Sequence, residues 1–93
     1  MNTDMTVIQS LLNKGHAALW DHDWEEAVAA YSEALVESPD HPVGLASLGL
    51  AYFHQKRYSE SMEIFQQLSE KDPGDPMPME RISRIHERQG LLQ

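Results

Sequence analysis

Residues 8–41, IQSLLNKGHAALWDHDWEEAVAAYSEALVESPDH, and residues 42–75, PVGLASLGLAYFHQKRYSESMEIFQQLSEKDPGD, are one pattern written twice. Displacing the chain by 34 positions lays Leu11 on Leu45, Gly15 on Gly49, Ala17 on Ala51, Trp24 on Tyr58, Glu26 on Glu60, Ala27 on Ser61, Tyr31 on Phe65 and Pro39 on Pro73. A second displacement lays Pro42 on Pro76, Leu45 on Met79, Leu48 on Ile82, Gly49 on Ser83 and Tyr58 on Leu92, and no gap is needed. The matched residues are small, aromatic or proline, types that carry geometry rather than polarity. A period of this length marks a stacked repeat in which each unit buries its apolar face against the next.

Within each unit the spacing predicts two helices. Val7, Leu11, Leu12, Ala18 and Leu19 recur at helical intervals, and Thr3 or Asp4 can cap the start. A turn at Asp21-His22-Asp23 follows, and Asp23-Trp24-Glu25-Glu26 resembles a capping box that opens a second helix reaching about residue 37. Pro39 stops it, and Pro42 suits the first position of a third helix, where a missing N–H costs nothing. That third helix is expected over 42–55, a fourth over 58–71 and a fifth over 76–89, with Pro78 tolerated in its first turn. Gly15 and Gly49 fall mid-helix, where glycine costs roughly 1 kcal/mol relative to alanine. A repeated cost implies a repeated benefit, the close approach of the paired helix. Ala27 and Ser61 are small for the same reason, and Trp24/Tyr58 and Tyr31/Phe65 are expected to fill the space beside them.

This register resembles the tetratricopeptide repeat (TPR) family, a 34-residue helix-turn-helix with Leu, Gly and an aromatic in its first helix, Ala and an aromatic in its second, and a closing Pro. The first unit supplies Leu11, Gly15, Ala27, Tyr31, Ala34 and Pro39, and the second supplies Leu45, Leu48, Gly49, Tyr52, Tyr58, Phe65 and Pro73. The resemblance covers nearly the whole chain. It implies an all-α fold, a right-handed superhelix of antiparallel helix-turn-helix pairs with about five helices, forming one domain over 1–93. Repeat one is then 8–41, repeat two 42–75, and 76–93 a partial third repeat or capping helix. Lys14 stands where a buried apolar residue is usual, so an exposed stem is expected. Leu68 and Ser69 also depart from the pattern. The ending Gly90-Leu91-Leu92 suits a piece of a longer protein slightly better than a complete cap.

Composition removes other classes. The net charge is −8, which repels phosphate backbones and anionic lipid and argues against nucleic-acid or membrane partners. Residues 1–75 hold thirteen acids against four bases, whereas 76–93 hold three arginines (Arg81, Arg84, Arg88) against two glutamates. There is no cysteine, so disulfides and thiolate chemistry are excluded. No apolar run spans a bilayer and no secretory pattern opens the chain, so a cytoplasmic location is the default. His16, His22, His41, His54 and His86 include no i, i+4 pair, and Asp21-His22-Asp23 is contiguous, so its side chains diverge. No glycine-rich phosphate loop and no Gly-x-Ser-x-Gly turn is present. Neither a cofactor nor a metal is expected, and the chain reads as no enzyme.

The resemblance places the first helix of each pair on a concave face. There it aligns Gln9, Leu12, His16, Leu19 and Trp20, then Ala46, Leu50, Phe53 and His54, then Glu80, Arg84, Glu87 and Arg88. The expected peptide-binding groove is Leu12, His16, Leu19, Trp20, Leu50, Phe53, His54, Arg84 and Arg88. Leu19 and Phe53 also suit the core between adjacent helices, and Arg84 and Arg88 a solvated helix face. One TPR subset grips the C-terminal carboxylate of heat-shock chaperones with Lys and Asn. The matching positions here are Leu12, His16, Leu50, Glu80 and Arg84, of which only Arg84 keeps the chemistry, so that ligand is not expected. The function read from the sequence is a scaffold or adaptor binding another protein or peptide in the groove. The alternative is a self-association module forming a homodimer.

Overall fold

The computed structural model describes residues 5–91. The expected caps Thr3 and Asp4, and the Tyr58–Leu92 match, lie outside the described residues. Five α-helices follow one another: α1 Met5–Trp20, α2 Trp24–Glu37, α3 Pro42–His54, α4 Tyr58–Lys71 and α5 Met77–Leu91. Among the described residues there is no strand. Each helix packs chiefly on the next in sequence, and the array is an elongated slab of 48 × 31 × 16 Å.

The two pairs are locked by the same contact. A Cβ added to Gly15 would lie 2.5 Å from the Tyr31 ring, and one added to Gly49 would lie 2.9 Å from the Phe65 ring. Both rings are essentially inaccessible to solvent. An aromatic of the second helix therefore lies flush on the backbone of the first. Beside it, Ala27 and Ser61 are fully buried. The Ser61 hydroxyl is not orphaned, because its Oγ donates to the Gly49 carbonyl at 2.8 Å. Trp24 does not share this space, contrary to expectation, whereas Tyr58 packs against the core. Trp24 stacks on His54 of α3, and Tyr58 sets its edge against Phe53. Trp24 thus closes the elbow between units, while the Tyr58–Phe53 contact lies within the second pair.

The turns explain the antiparallel return. His22 and Lys56 occupy equivalent positions and both take left-handed backbone, with φ of 60° and 63°. In each turn the following N–H reaches back to the helix, Asp23 to the Ala18 carbonyl at 2.8 Å and Arg57 to the Tyr52 carbonyl at 2.9 Å. Because that bond uses the Asp23 N–H, the capping box is only half made. Asp23 accepts the Glu26 N–H at 3.1 Å, while the Glu26 carboxylate turns to Lys14 at 3.2 Å. In the second unit the cap position is Arg57, whose guanidinium instead holds both Glu60 oxygens, at 2.8 and 2.6 Å. The start of α3 carries a cap not anticipated from the sequence, His41 Nδ1 accepting the Gly44 N–H at 3.2 Å. Lys71 pins the end of α4 to the α2–α3 turn through the Asp40 carboxylate at 3.0 Å.

Gly44 brings α3 against the first pair. A Cβ there would sit 3.1 Å from Leu35 and 3.6 Å from Leu12. Leu35 takes the tightest place against that bare backbone, with Leu12 beside it at ordinary contact distance and only 2% exposed. The expected place of Leu12 in the groove is therefore corrected: it is a core residue, enclosed in the buried cluster where α3 lies close over the first pair at Gly44.

Two substitutions test these contacts. Gly15→Ala forces its methyl into a trapped ring and should destabilise the fold by about 1–3 kcal/mol despite better helix propensity. Gly90→Ala, which meets nothing within 4 Å, should not destabilise it. Urea titration followed by circular dichroism separates the two. Lys56→Gly relieves a left-handed lysine and should raise stability by roughly 0.5–1 kcal/mol in the same assay, whereas Lys56→Val should lower it.

Candidate functional site: a groove between alternate helices

Helices α1, α3 and α5 share one side of the slab, and the recesses between them have a common floor residue, Leu50. One recess of about 360 Å³ is lined by His16, Leu19, Trp20, His22, Trp24, Leu50 and His54. Its neighbour, about 580 Å³, is lined by Leu50, Phe53, His54, Arg81, Arg84, Glu87 and Arg88. A narrower cleft continues along α3 past Ala46, Ser47, Leu50, Phe65, Met77 and Arg81. Leu50 is half-buried and Trp20 is 87% exposed.

Of the residues singled out by sequence, His16, Leu19, Trp20, Leu50, Phe53, His54, Arg84 and Arg88 line these recesses, and Leu12 does not. Leu19 and Phe53 have two faces, packing on the core while still bordering the groove. Sequence reasoning missed His22, Trp24 and Arg81. Trp24 had been assigned to helix packing by its spacing. Arg81 follows Glu80, and its inward tilt depends on where α5 rests on α4.

Two polar arrangements fix the groove walls. The His16 ring Nδ1 lies 2.6 Å from the Tyr31 hydroxyl. Burial pushes the Tyr31 hydroxyl above its ordinary range, opposed by a hydrogen bond from Ser47. The His16–Tyr31 contact ties α1 to α2 at the groove wall and holds the imidazole in place. At the far end of α1 and α3, Trp24 is stacked between two imidazoles, His22 at 5.0 Å and His54 at 4.4 Å between ring centroids. Phe53 joins by its edge to His54, and the Arg88 guanidinium lies over the Phe53 ring at 5.9 Å.

The basic side of the groove is α5. Arg81, Arg84 and Arg88 stand at i, i+3 and i+7, spacing that keeps them on one helix face. Among the described residues, ion pairs join Lys14, Arg57 and Lys71 to carboxylates, and none includes an α5 arginine. No group of three or more His, Asp or Glu that could hold a metal occurs among the described residues. No described helix is long and apolar enough to cross a membrane.

His54 reports on this environment. Burial against its neighbours lowers its pKa below the ordinary value of 6.5, and the charges of His22, Arg81 and Arg88 lower it further. The folded state then binds fewer protons at His54 than the unfolded chain as pH falls below 6.5, so this residue's contribution to stability is present above 6.5 and is lost on acidification. Proton NMR titration of the His54 ring should give a midpoint below 6.5, and Arg88→Gln should raise it. A wild-type midpoint at or above 6.5 would contradict the stacked arrangement.

Comparison with known proteins agrees with the geometry. Anaphase-promoting complex subunit 3 of Schizosaccharomyces pombe (strain 972 / ATCC 24843) is 29% identical over 82 residues, which cover 88% of this chain. The chain spans only 12% of that protein's length. The tetratricopeptide repeat family model matches residues 12–76, which take in both glycine–aromatic contacts and the groove floor. The chain belongs to the tetratricopeptide repeat family.

Proposed function

We propose that this chain is a non-catalytic scaffold whose groove between α1, α3 and α5 binds a segment of another protein, in the cytoplasm. The observation that carries the reading is the placement of Trp20 and Leu50. The core is complete without Trp20, which is 87% exposed beside Leu50, Leu19 and Trp24 in one recess. A large aromatic held in a concavity loses its water contact only when a ligand covers it, and buried Trp residues dominate binding energy at interfaces. The family assignment supports a protein-interaction role. The name of the fission-yeast relative, a complex subunit, points the same way. The two repeats with a third first-helix then form a single binding domain, and the catalytic and metal-site patterns absent from the sequence have no part in it.

Covering one such side chain contributes roughly 1.5–3 kcal/mol. Trp20→Ala should therefore weaken partner binding tenfold or more while leaving helicity and melting unchanged, since Trp20 makes no core contact. Leu50→Asp, on the shared floor, should abolish it. The measurement is capture of native-cell partners followed by calorimetry with the purified partner. A partner held equally well by wild type and both variants binds elsewhere, and the groove reading would then be wrong. Light scattering separates the self-association alternative, which requires a mass that rises with concentration.

A further inference from the structure

The groove is not uniform in charge, and the asymmetry bears on what it binds. The chain carries a net charge of −8 with fifteen acids available. Three of its four bases before α5 are already neutralised within the chain: Lys14 by Glu26, Arg57 by Glu60 and Lys71 by Asp40. Arg81, Arg84 and Arg88 are different. All three line the groove with no carboxylate of the described residues within ion-pairing distance, although Glu80 and Glu87 lie on the same helix and Glu87 lines the same recess. An acidic protein that leaves its arginines unpaired only along an apolar trough presents a surface complementary to anions beside an apolar anchor point.

We infer that the segment taken by the groove is acidic, an extended stretch in which an apolar side chain rests on Leu50 and Phe53 and neighbouring Asp or Glu side chains pair with Arg81, Arg84 and Arg88. This rests on the groove reading above and adds the chemistry of the ligand. The row itself favours several side-chain carboxylates over one terminal carboxylate. From Arg81 to Arg88 is seven residues, about 10 Å along the helix at 1.5 Å per residue. One carboxylate is met by one guanidinium in the two-pronged geometry that arginine favours, which would leave the remaining positions of the row empty. Alternate residues of an extended strand share one side about 7 Å apart, so acids two positions from an apolar residue face the same surface as it does and can reach along the row. Phe65 also enters the pit between Leu50, Phe53, Arg81 and Arg84, so the arginines and the apolar floor are adjacent parts of one surface.

The test is an NMR titration of the ¹⁵N-labelled chain with three short peptides up to millimolar concentration. The first has leucine flanked on each side by two glutamates, with both ends blocked. The second replaces the glutamates by glutamines. The third is the glutamine peptide with a free C-terminus. The blocked glutamate peptide should shift the Leu50 and Phe53 amides and the arginine Nε–Hε signals, and bind at least tenfold tighter than its glutamine counterpart, with affinity falling as salt rises. Arg84→Gln/Arg88→Gln should weaken it at least tenfold, Arg84→Lys/Arg88→Lys should restore part of the affinity and so exclude misfolding, and Arg57→Gln should change nothing. Equal binding of the blocked glutamate and glutamine peptides leaves the groove standing and overturns the acidic ligand. Arginine signals that answer only the free C-terminus assign a terminal-carboxylate site instead. If no peptide moves Leu50 or Phe53, the groove reading fails and this inference with it. Self-association abolished by the glutamine double variant would make a second copy's acidic surface the occupant and overturn a separate partner.

Discussion

An aromatic ring pressed against a helix backbone at a glycine is the contact on which the rest of this molecule depends. It occurs twice, Tyr31 on Gly15 and Phe65 on Gly49, at positions 34 residues apart. The absence of a β-carbon lets the two helices of a pair approach until the ring is sealed, and a sealed ring contributes far more than the roughly 1 kcal/mol that a mid-helix glycine costs. The contact also fixes the rotation of each first helix about its axis. With Gly15 turned inward, His16 and Trp20 turn outward on the adjoining face. With Gly49 inward, Leu50, Phe53 and His54 turn toward the groove. The groove is thus a by-product of the packing that holds each pair together.

The two rings differ in one atom, and the difference reaches the surface. The Tyr31 hydroxyl extends past the glycine to His16 at 2.6 Å and toward Ser47, linking α2 to α1 and α3 beside the groove. Phe65 has no hydroxyl, and its edge instead borders a pit shared with Leu50, Phe53, Arg81 and Arg84. One end of the groove is consequently aromatic and rich in imidazole, and the other is apolar at its floor and cationic along its wall. His54 stands where the two meet, stacked on Trp24 and facing Arg81 and Arg88, which is why it resists protonation.

The surface ion pairs matter less for stability than for what they leave over. Lys14–Glu26, Arg57–Glu60 and Lys71–Asp40 are all substantially exposed, and solvent screening leaves such pairs little net effect on stability. Their effect is on the electrostatic surface: they cancel bases outside the groove, so that uncancelled positive charge is concentrated on α5. The Lys71–Asp40 pair also joins the end of α4 to the turn between α2 and α3.

What the sequence by itself determined was whatever depends on neighbours in the chain. The helices begin and end within a residue or two of the boundaries expected from Pro39, Pro42, Pro73 and Asp23, because caps and prolines act through bonds made a few positions away. The glycine–aromatic pairing was legible because the period displayed it twice. Most of the groove was legible too, since helical spacing sets which residues share a face. The tertiary structure alone decided depth and partnership. Leu12 and Leu50 look alike in the sequence, yet Leu12 is buried, because α3 passes close over it at Gly44, 32 residues downstream. Trp24 reads as core and instead bridges to His54 of the next unit. Glu26 looked like half of a capping box and became the partner of Lys14, because the turn had already used the Asp23 N–H. Which bases are cancelled and which are left facing the groove depends on distances of a few ångströms between helices, and those distances are set by how rings, glycines and leucines fill space once the pairs stack.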